Sequence, residues 1–502
     1  MEAVRTIKNI IFDWGGVLID LDFERCLQAF DDLGIGDLKH LLTGAAECSL
    51  FKDYEMGKCT TTEFREGVRQ LANRSLTDAE IDAVWNSMVK NVPVEKLQLL
   101  YELRQQYNIY LLSNTNELHW EHASEKVFQY KELKRDNFFK RVFLSNEMHL
   151  AKPDPEIFRV ALKEANLIAE ETLFIDDSLV NCEAAASVGI HTSLYVPGTD
   201  LRSVMPASPC AATIGCFDGV HRGHRYLIKQ VEEVAKARGL KTAFITFPVH
   251  PRVVMQADYQ PQLLSCLQQK TELIDKLDAD YCILLPFTHQ LSQLSAREFM
   301  QLLHDIYQVR VLVIGYDHRF GHNRSENFKD YYHYGQELGI EVIQAKALVE
   351  EGVSISSSLI RQLILSGNVA EANHYLGYHY FIDGTIVNGY KVGRKLGFPT
   401  ANMLPSCPDK LIPAEGVYAV YAYVNGERHR AMLNIGHRPT LNNGTDRSIE
   451  AHIIDFHENI YNKHMRVDFI RQIRKEKKFD SLEALIEQLK QDQETIISLL
   501  PC

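Results

Sequence analysis

The chain is predicted to be an α/β protein of three modules: two parallel-sheet modules followed by a small β-barrel. Three observations predict it. Short apolar runs alternate with amphipathic helical patterns from the N-terminus to about residue 375. A Pro- and Gly-bearing stretch without periodicity, Val196 to Pro209, separates the first module from the second. Near Gly377 to Gly384 the helical period gives way to alternating strands. The modules are expected at about 1–200, 210–375 and 376–502, in line with a length prior of roughly 150 residues per domain.

The first module is expected to hold strands at Ile10–Trp14, Ile109–Ser113, Leu173–Asp177 and Thr192–Val196, with a helical insertion between about Leu21 and Glu95. The second repeats the theme with Ala211–Ile214, Ala243–Phe247, Tyr281–Pro286, Val309–Gly315 and Ile340–Gln344. Its helix at Ser295–Tyr307 opens on a capping box, Ser295-Ala296-Arg297-Glu298. The third shows short β runs, Gly416–Val424 and Arg430–Ile435, then a helix from about Ser481 to Leu499.

A hydrophobic content of 45% is ordinary for a globular chain. The net charge of -12 argues against a nucleic-acid partner, and the basic stretch Lys463–Lys478 reads as a solvated element. Ten cysteines with no C-x-x-C pair argue against zinc and against a disulfide framework, and they fit a reducing cytoplasm. Ile7 to Phe12 reads as a core strand rather than a signal peptide, and no apolar run approaches the ~18 residues of a membrane span.

The most informative stretch is Gly215-Cys216-Phe217-Asp218-Gly219-Val220-His221-Arg222-Gly223-His224, between a strand and a helix. Its glycines let backbone approach a phosphate, the helix start favours anions, and His221 and His224 lie one turn apart. Gly315-Tyr316-Asp317-His318-Arg319-Phe320-Gly321 follows a later strand, and Ser356-Ser357-Ser358-Leu359-Ile360-Arg361 opens a helix with hydroxyls and a guanidinium. Singly, each is an ordinary turn or cap; the three in this order point to a nucleotide site. Here the chain resembles the FAD synthetase module of bifunctional riboflavin kinase/FAD synthetases, which transfers the adenylyl group of ATP to FMN. The resemblance implies a Rossmann-like nucleotidyltransferase fold. His221 and His224 would act on the ATP phosphates, Gly215, Asp218, Gly219 and Asp317 would line the nucleotide site, and Ser357 and Arg361 would hold pyrophosphate. Pro248-Val249-His250-Pro251 and Cys216 depart from the family's common Asp-Pro-His-Pro and Asn. Class I aminoacyl-tRNA synthetases share a His-x-Gly-His signature, but no Lys-Met-Ser-Lys-Ser loop is present.

A second Gly-rich run, Gly389 to Asn402, could wrap phosphates, with Thr400 and Asn402 offering neutral oxygens to magnesium-bound ATP. Asn434-Ile435-Gly436-His437-Arg438-Pro439-Thr440, Glu450 and Arg474 to Phe479 follow in the order seen in riboflavin kinases, which the third module resembles. The resemblance implies a six-stranded barrel that phosphorylates riboflavin to FMN. Gly393 and Arg394 would contact ATP, Thr400 and Asn402 would hold Mg²⁺, and Glu450 would be the general base.

In the first module, Phe12-Asp13-Trp14-Gly15-Gly16, Leu112-Ser113-Asn114, Lys152-Pro153 and Phe174-Ile175-Asp176-Asp177 supply a nucleophilic carboxylate, a phosphate-binding hydroxyl, a balancing lysine and acids for a metal. Together they resemble the haloacid dehalogenase superfamily of phosphatases. That implies a Rossmann-like domain with residues 21–95 as its helical cap. Asp13 would be the nucleophile, Ser113 and Lys152 would bind phosphate, and Asp13, the Gly15 carbonyl and Asp176 would hold Mg²⁺. Most of these phosphatases carry an acid/base aspartate where this chain has Gly15, although some relatives share the glycine. Three modules in one chain point to flavin cofactor synthesis, with riboflavin, FMN and ATP as partners. The first module is expected to dephosphorylate the ribityl-pyrimidine phosphate that precedes riboflavin; an FMN hydrolase and an inert regulatory domain stand as alternatives.

Overall fold

A computed structural model describes residues 7–35, 49–72, 75–128, 130–131, 134–204, 208–256, 258–316, 318–322, 325–388, 397–437 and 447–501. The chain forms two compact units. One comprises residues 1–216, 231–257 and 278–345; the other comprises 217–230, 258–277 and 346–502.

The first unit is built on ten strands. β1 (Asn9–Phe12), β2 (Asn108–Ser113), β3 (Arg141–Leu144), β4 (Thr172–Asp176) and β5 (His191–Leu194) run in the order β3-β2-β1-β4-β5. β6 (Cys210–Ile214), β7 (Lys241–Thr246), β8 (Tyr281–Leu284), β9 (Val309–Ile314) and β10 (Glu341–Gln344) repeat that order as β8-β7-β6-β9-β10. Every pairing within each set is parallel. The sets join through one antiparallel bridge, Leu194 opposite Leu284, so two expected sheets become one. β1 and β6 are buried along their whole length, as strands covered on both faces must be. Each set reverses direction beside its first strand, and the carboxyl ends at such a reversal form a crevice where α/β ligands bind. β3, absent from the expected strands, is only half apolar in its burial.

The helical insertion carries its own core of Phe30, Phe51, Phe64 and Trp85. Its four described helices are Phe23–Asp32, Leu50–Glu55, Thr61–Ala72 and Asp78–Asn86. The bridge between Leu21 and Val89 closes its neck, near the expected limits.

The second unit contains a two-residue hairpin, β11 (Val349–Glu350) with β12 (Val353–Ser354), and a closed antiparallel barrel. The barrel runs β13 (Phe381–Val387), β14 (Ala401–Pro405), β17 (Arg447–Ile453), β16 (Glu427–His437), β15 (Gly416–Val424), β18 (His464–Arg474). Closure leaves no unpaired edge. Helices Ser357–Leu365 and Val369–Leu376 share one core with the barrel through Ile360, Ile364, Ala372 and Leu376 against Tyr380, Tyr418 and Phe469. The final helix, Leu482–Leu499, starts at the expected cap: the Ser481 side chain accepts from the Ala484 amide. It buries Ile496 with Val417, Tyr421 and Met432.

Candidate active sites

At the first reversal, Asp13 follows β1 and Asp176 ends β4, so both stand at carboxyl ends of adjacent strands. Lys152 lies between them, its Nζ 2.7 Å from Asp13 Oδ1 and 2.7 Å from Asp176 Oδ2, and it donates to the Leu112 carbonyl at 3.1 Å. The Lys152 backbone is fixed by Asn114, which donates to its carbonyl and accepts from its amide, both at 2.8 Å. Ser113, buried at the end of β2, completes the expected set. Asp176 is held in turn by the Ser178 amide and the Asn181 side chain.

Burial pushes the Asp13 carboxyl up to about 7 against the pull of Lys152. Burial and then Asp176 push Asp177 up to about 6. Lys152 stays charged: burial opposes its charge, but Asp13 and Asp176 more than offset that. Oxygens of Asp13, Asp176 and Asp177 lie within 4.8 Å of one another. Three carboxylates against one ammonium leave the cluster short of positive charge, and an all-oxygen donor set suits Mg²⁺. Asp177, already grouped with Asp176 in the sequence as an acid for a metal, stands in this cluster. At position 15 a Cβ would lie 3.1 Å from Leu21 Cδ1, so a larger residue here requires Leu21 to yield.

At the second reversal, Gly215 follows β6, its amide donating to the Ile245 carbonyl at 3.1 Å, and Gly315 follows β9. A small apolar cavity of about 100 Å³ lies here among Cys216, Phe247, Phe287, Phe299, His318 and Phe320. Asp317 lies outside the described residues.

In the other unit, the backbone at Phe217, Gly219 and Val220 has φ of 46°, 81° and 37°. The two non-Gly residues sit in a region that costs on the order of 1–3 kcal/mol each and persists only where surroundings enforce it. The Ser265 hydroxyl accepts from the Gly219 amide (2.8 Å), the Tyr378 hydroxyl donates to the Gly219 carbonyl (2.6 Å), and the Ser357 hydroxyl donates to the Asp218 carbonyl (2.9 Å). Helix Arg222–Arg238 begins immediately after. His221 caps it: its Nδ1 accepts from the His224 amide at 3.3 Å. In a neutral ring that leaves Nε2 as the donor. The His221 and His224 rings stack at 3.6 Å and 16°. Burial pulls His221 down to about 4, with Asp218 acting the other way, and burial and then His221 hold His224 well below the ordinary imidazole range. His224 Nδ1 is buried without a partner among the described residues. Ser357 opens helix Ser357–Leu365, where the Ser356 side chain accepts from the Leu359 amide. One turn along, Arg361 pairs with Asp218 and donates to the Gln262 carbonyl. His221, His224, Asp218, Gly219, Ser357 and Arg361 are therefore brought together as the sequence predicts.

In the barrel, Asn402 on β14 pairs across the ladder with Glu450 on β17. Thr400 Oγ1 donates to Glu450 Oε2 at 3.2 Å. A cavity of about 280 Å³ opens beside them, lined by Thr400, Ile386, Phe456, His457 and Tyr461. Gly393 and Arg394 lie outside the described residues. No sequence signal marked Ser265 or Tyr378, because each is recruited across the fold, Ser265 through its amide and hydroxyl and Tyr378 through its hydroxyl.

Comparison with known proteins adds three family matches: FAD synthetase over residues 204–359, riboflavin kinase over 376–500, and haloacid dehalogenase-like hydrolase over 7–189. A bifunctional riboflavin kinase/FMN adenylyltransferase of Listeria monocytogenes is 37% identical over 59% of this chain and 92% of that protein. The Escherichia coli protein of the same description is 35% identical over 60% of this chain and 96% of its own length. A HAD family enzyme of Bacteroides thetaiotaomicron, solved with magnesium and inorganic phosphate, is 41% identical over 39% of this chain and 96% of that one, with a TM-score of 0.37. No described helix is long and apolar enough to cross a membrane.

Proposed function

The chain belongs to the family of bifunctional riboflavin kinase/FMN adenylyltransferases, with a haloacid dehalogenase-like hydrolase domain at its N-terminus, and from that premise we propose three linked reactions in the cytoplasm. The module at 376–502 phosphorylates riboflavin, the module at 210–375 converts the resulting FMN to FAD, and the module at 1–200 supplies a phosphatase. The observation that carries this reading is the meeting of Thr400, Asn402 and Glu450 across β14 and β17, residues that nothing in local structure would assemble.

In the kinase, Glu450 accepts the proton of the riboflavin 5′-hydroxyl as that oxygen attacks the terminal phosphoryl group of ATP, and ADP leaves. Thr400 and Asn402 would hold magnesium, which screens the phosphate charge. In the adenylyltransferase, an FMN phosphate oxygen attacks the α-phosphoryl group of ATP and pyrophosphate leaves. The neutral His221 ring donates from Nε2 to a phosphate oxygen, and Arg361 and Ser357 hold the pyrophosphate. In the phosphatase, Asp13 attacks the phosphoryl group and the ester P–O bond breaks, so the alcohol leaves with a proton taken from water; water then hydrolyses the aspartyl phosphate and inorganic phosphate is released, while Lys152 offsets the charge throughout. Asp13, Asp176 and Asp177, with the Gly15 carbonyl, would hold a second magnesium.

The intact Asp13–Lys152–Asp176 set favours an active domain over an inert one. We assign it the ribityl-pyrimidine phosphate, whose product feeds the two other activities. Full-length protein given ATP, Mg²⁺ and riboflavin should yield FMN and then FAD. Given each phosphate in turn, it should release inorganic phosphate from the pyrimidine. Release from FMN alone would reassign the domain, and release from neither would mark it as inert.

A further inference from the structure

Asp218 sits in the most phosphate-like motif of the chain, yet its carboxylate is wholly committed to protein. It is buried. Oδ1 accepts from the Ser265 amide at 2.9 Å and from the Ser265 hydroxyl at 3.4 Å, and Oδ2 accepts from the Leu264 amide at 3.1 Å and from Arg361. Four acceptor positions are about what a carboxylate has, so none is left for a metal or a ligand. The same residue is tied by its backbone to Ser357, and its neighbour Gly219 to Ser265 and Tyr378.

We propose that Asp218 is a positioning residue of adenylyl transfer, which locks the 217–220 loop carrying His221, with left-handed backbone at Phe217, Gly219 and Val220, to Arg361 through one carboxylate. The inference rests on the adenylyltransferase reading given above. Asp218 acts through two partners. It holds the Leu264–Ser265 backbone against the His221 loop, and it orients the guanidinium. The Gln262 carbonyl fixes Arg361 Nε from the other side, at 2.8 Å. Two of five N–H groups are thereby engaged, and the remaining ones are presented in one plane to phosphate oxygens. The carboxylate thus sets the spacing between the imidazole pair and the guanidinium, and a misplacement of about 1 Å can cost ~10²-fold in rate.

The test is a double-mutant cycle in the full chain. It reads FAD formed from FMN and MgATP, with riboflavin kinase turnover of the same preparation as the folding control. Asp218→Asn is expected to lower kcat for FAD formation about 10–100-fold and to leave KM for MgATP within about threefold. Arg361→Ala should also lower kcat, and Asp218→Asn should cost clearly less in the Arg361→Ala background than in the parent, because the guanidinium half of its role is already gone while its hold on Leu264 and Ser265 is not. Added guanidinium should restore Arg361→Ala and not the double variant. Multiplicative losses overturn the proposal. So does an unchanged kcat with a raised requirement for Mg²⁺, which makes Asp218 a ligand. Should Asp218→Asn also cost the kinase its turnover, Ser265→Ala decides. It should lose about 3–10-fold in FAD formation with the kinase intact, and no loss overturns the proposal. A wild-type protein that forms no FAD sinks the adenylyltransferase reading itself, whereas wild-type FAD formation matched by Asp218→Asn sinks only the role given to Asp218.

Discussion

Glu450 shows how a single residue changes meaning with its neighbours. On a strand, a half-exposed glutamate is ordinarily solvated; its place beside Thr400 and opposite Asn402 is what supports the proposal that it acts as a base. Glu450→Gln should cut riboflavin kinase turnover by ~10²–10⁴-fold while FMN adenylylation continues, as separate assays of FMN and FAD would show. Equal loss of both would refute the assignment. His221 makes a different prediction. Its folded pKa, drawn down to about 4 mainly by burial, lies below the unfolded value. The unfolded chain therefore binds the extra proton, and stability falls as pH drops from about 6.5 to about 4. The full loss is about 3 kcal/mol, since each pKa unit corresponds to about 1.4 kcal/mol. Urea midpoints at pH 7.5 and pH 4.5 should differ less in His221→Gln than in the parent; an equal difference would show that other groups carry the acid sensitivity.

Among the elements, β14 carries the proposed kinase site, and its pairing with β13 depends on one close approach. A Cβ at Gly384 would overlap the Leu404 carbonyl oxygen, the acceptor face of the strand on which Asn402 lies. Gly384→Ala should destabilise the barrel by about 1–3 kcal/mol and raise KM for MgATP in the kinase, because Thr400 and Asn402 move with the strand. Thermal denaturation with kinase assays checks both; an unchanged Tm would mean the ladder yields freely. The helices show why some elements were legible. The Ser295 capping box and the Ser481 cap reproduce local signals in local structure. β13, β14, β17 and β18 carry weaker alternation, and β3 is partly exposed, so their strand state comes from partners elsewhere in the chain.

Across the whole molecule, three sites are built from separate sets of residues. Asp13→Asn should abolish phosphate release and leave the riboflavin-to-FAD sequence at its parental rate; a coupled loss would mean the phosphatase and synthetase activities share a machinery. The run from Gly215 to His224 reads as a phosphate site, and Asp13, Lys152 and Asp176 as a phosphoryl-transfer site, from the sequence, because glycine, imidazole and carboxylate chemistry is carried by the residues themselves. The periods of the apolar runs likewise determined the sequence of α/β, α/β and barrel modules. Only the tertiary structure decided that β5 and β8 join the two parallel sets into one sheet. It alone decided that the Asp218 carboxylate meets Ser265, Leu264 and Arg361. Those outcomes depend on contacts between residues far apart in the chain. A burial cost or a hydrogen bond made at such distance leaves no period and no spacing in the sequence to read.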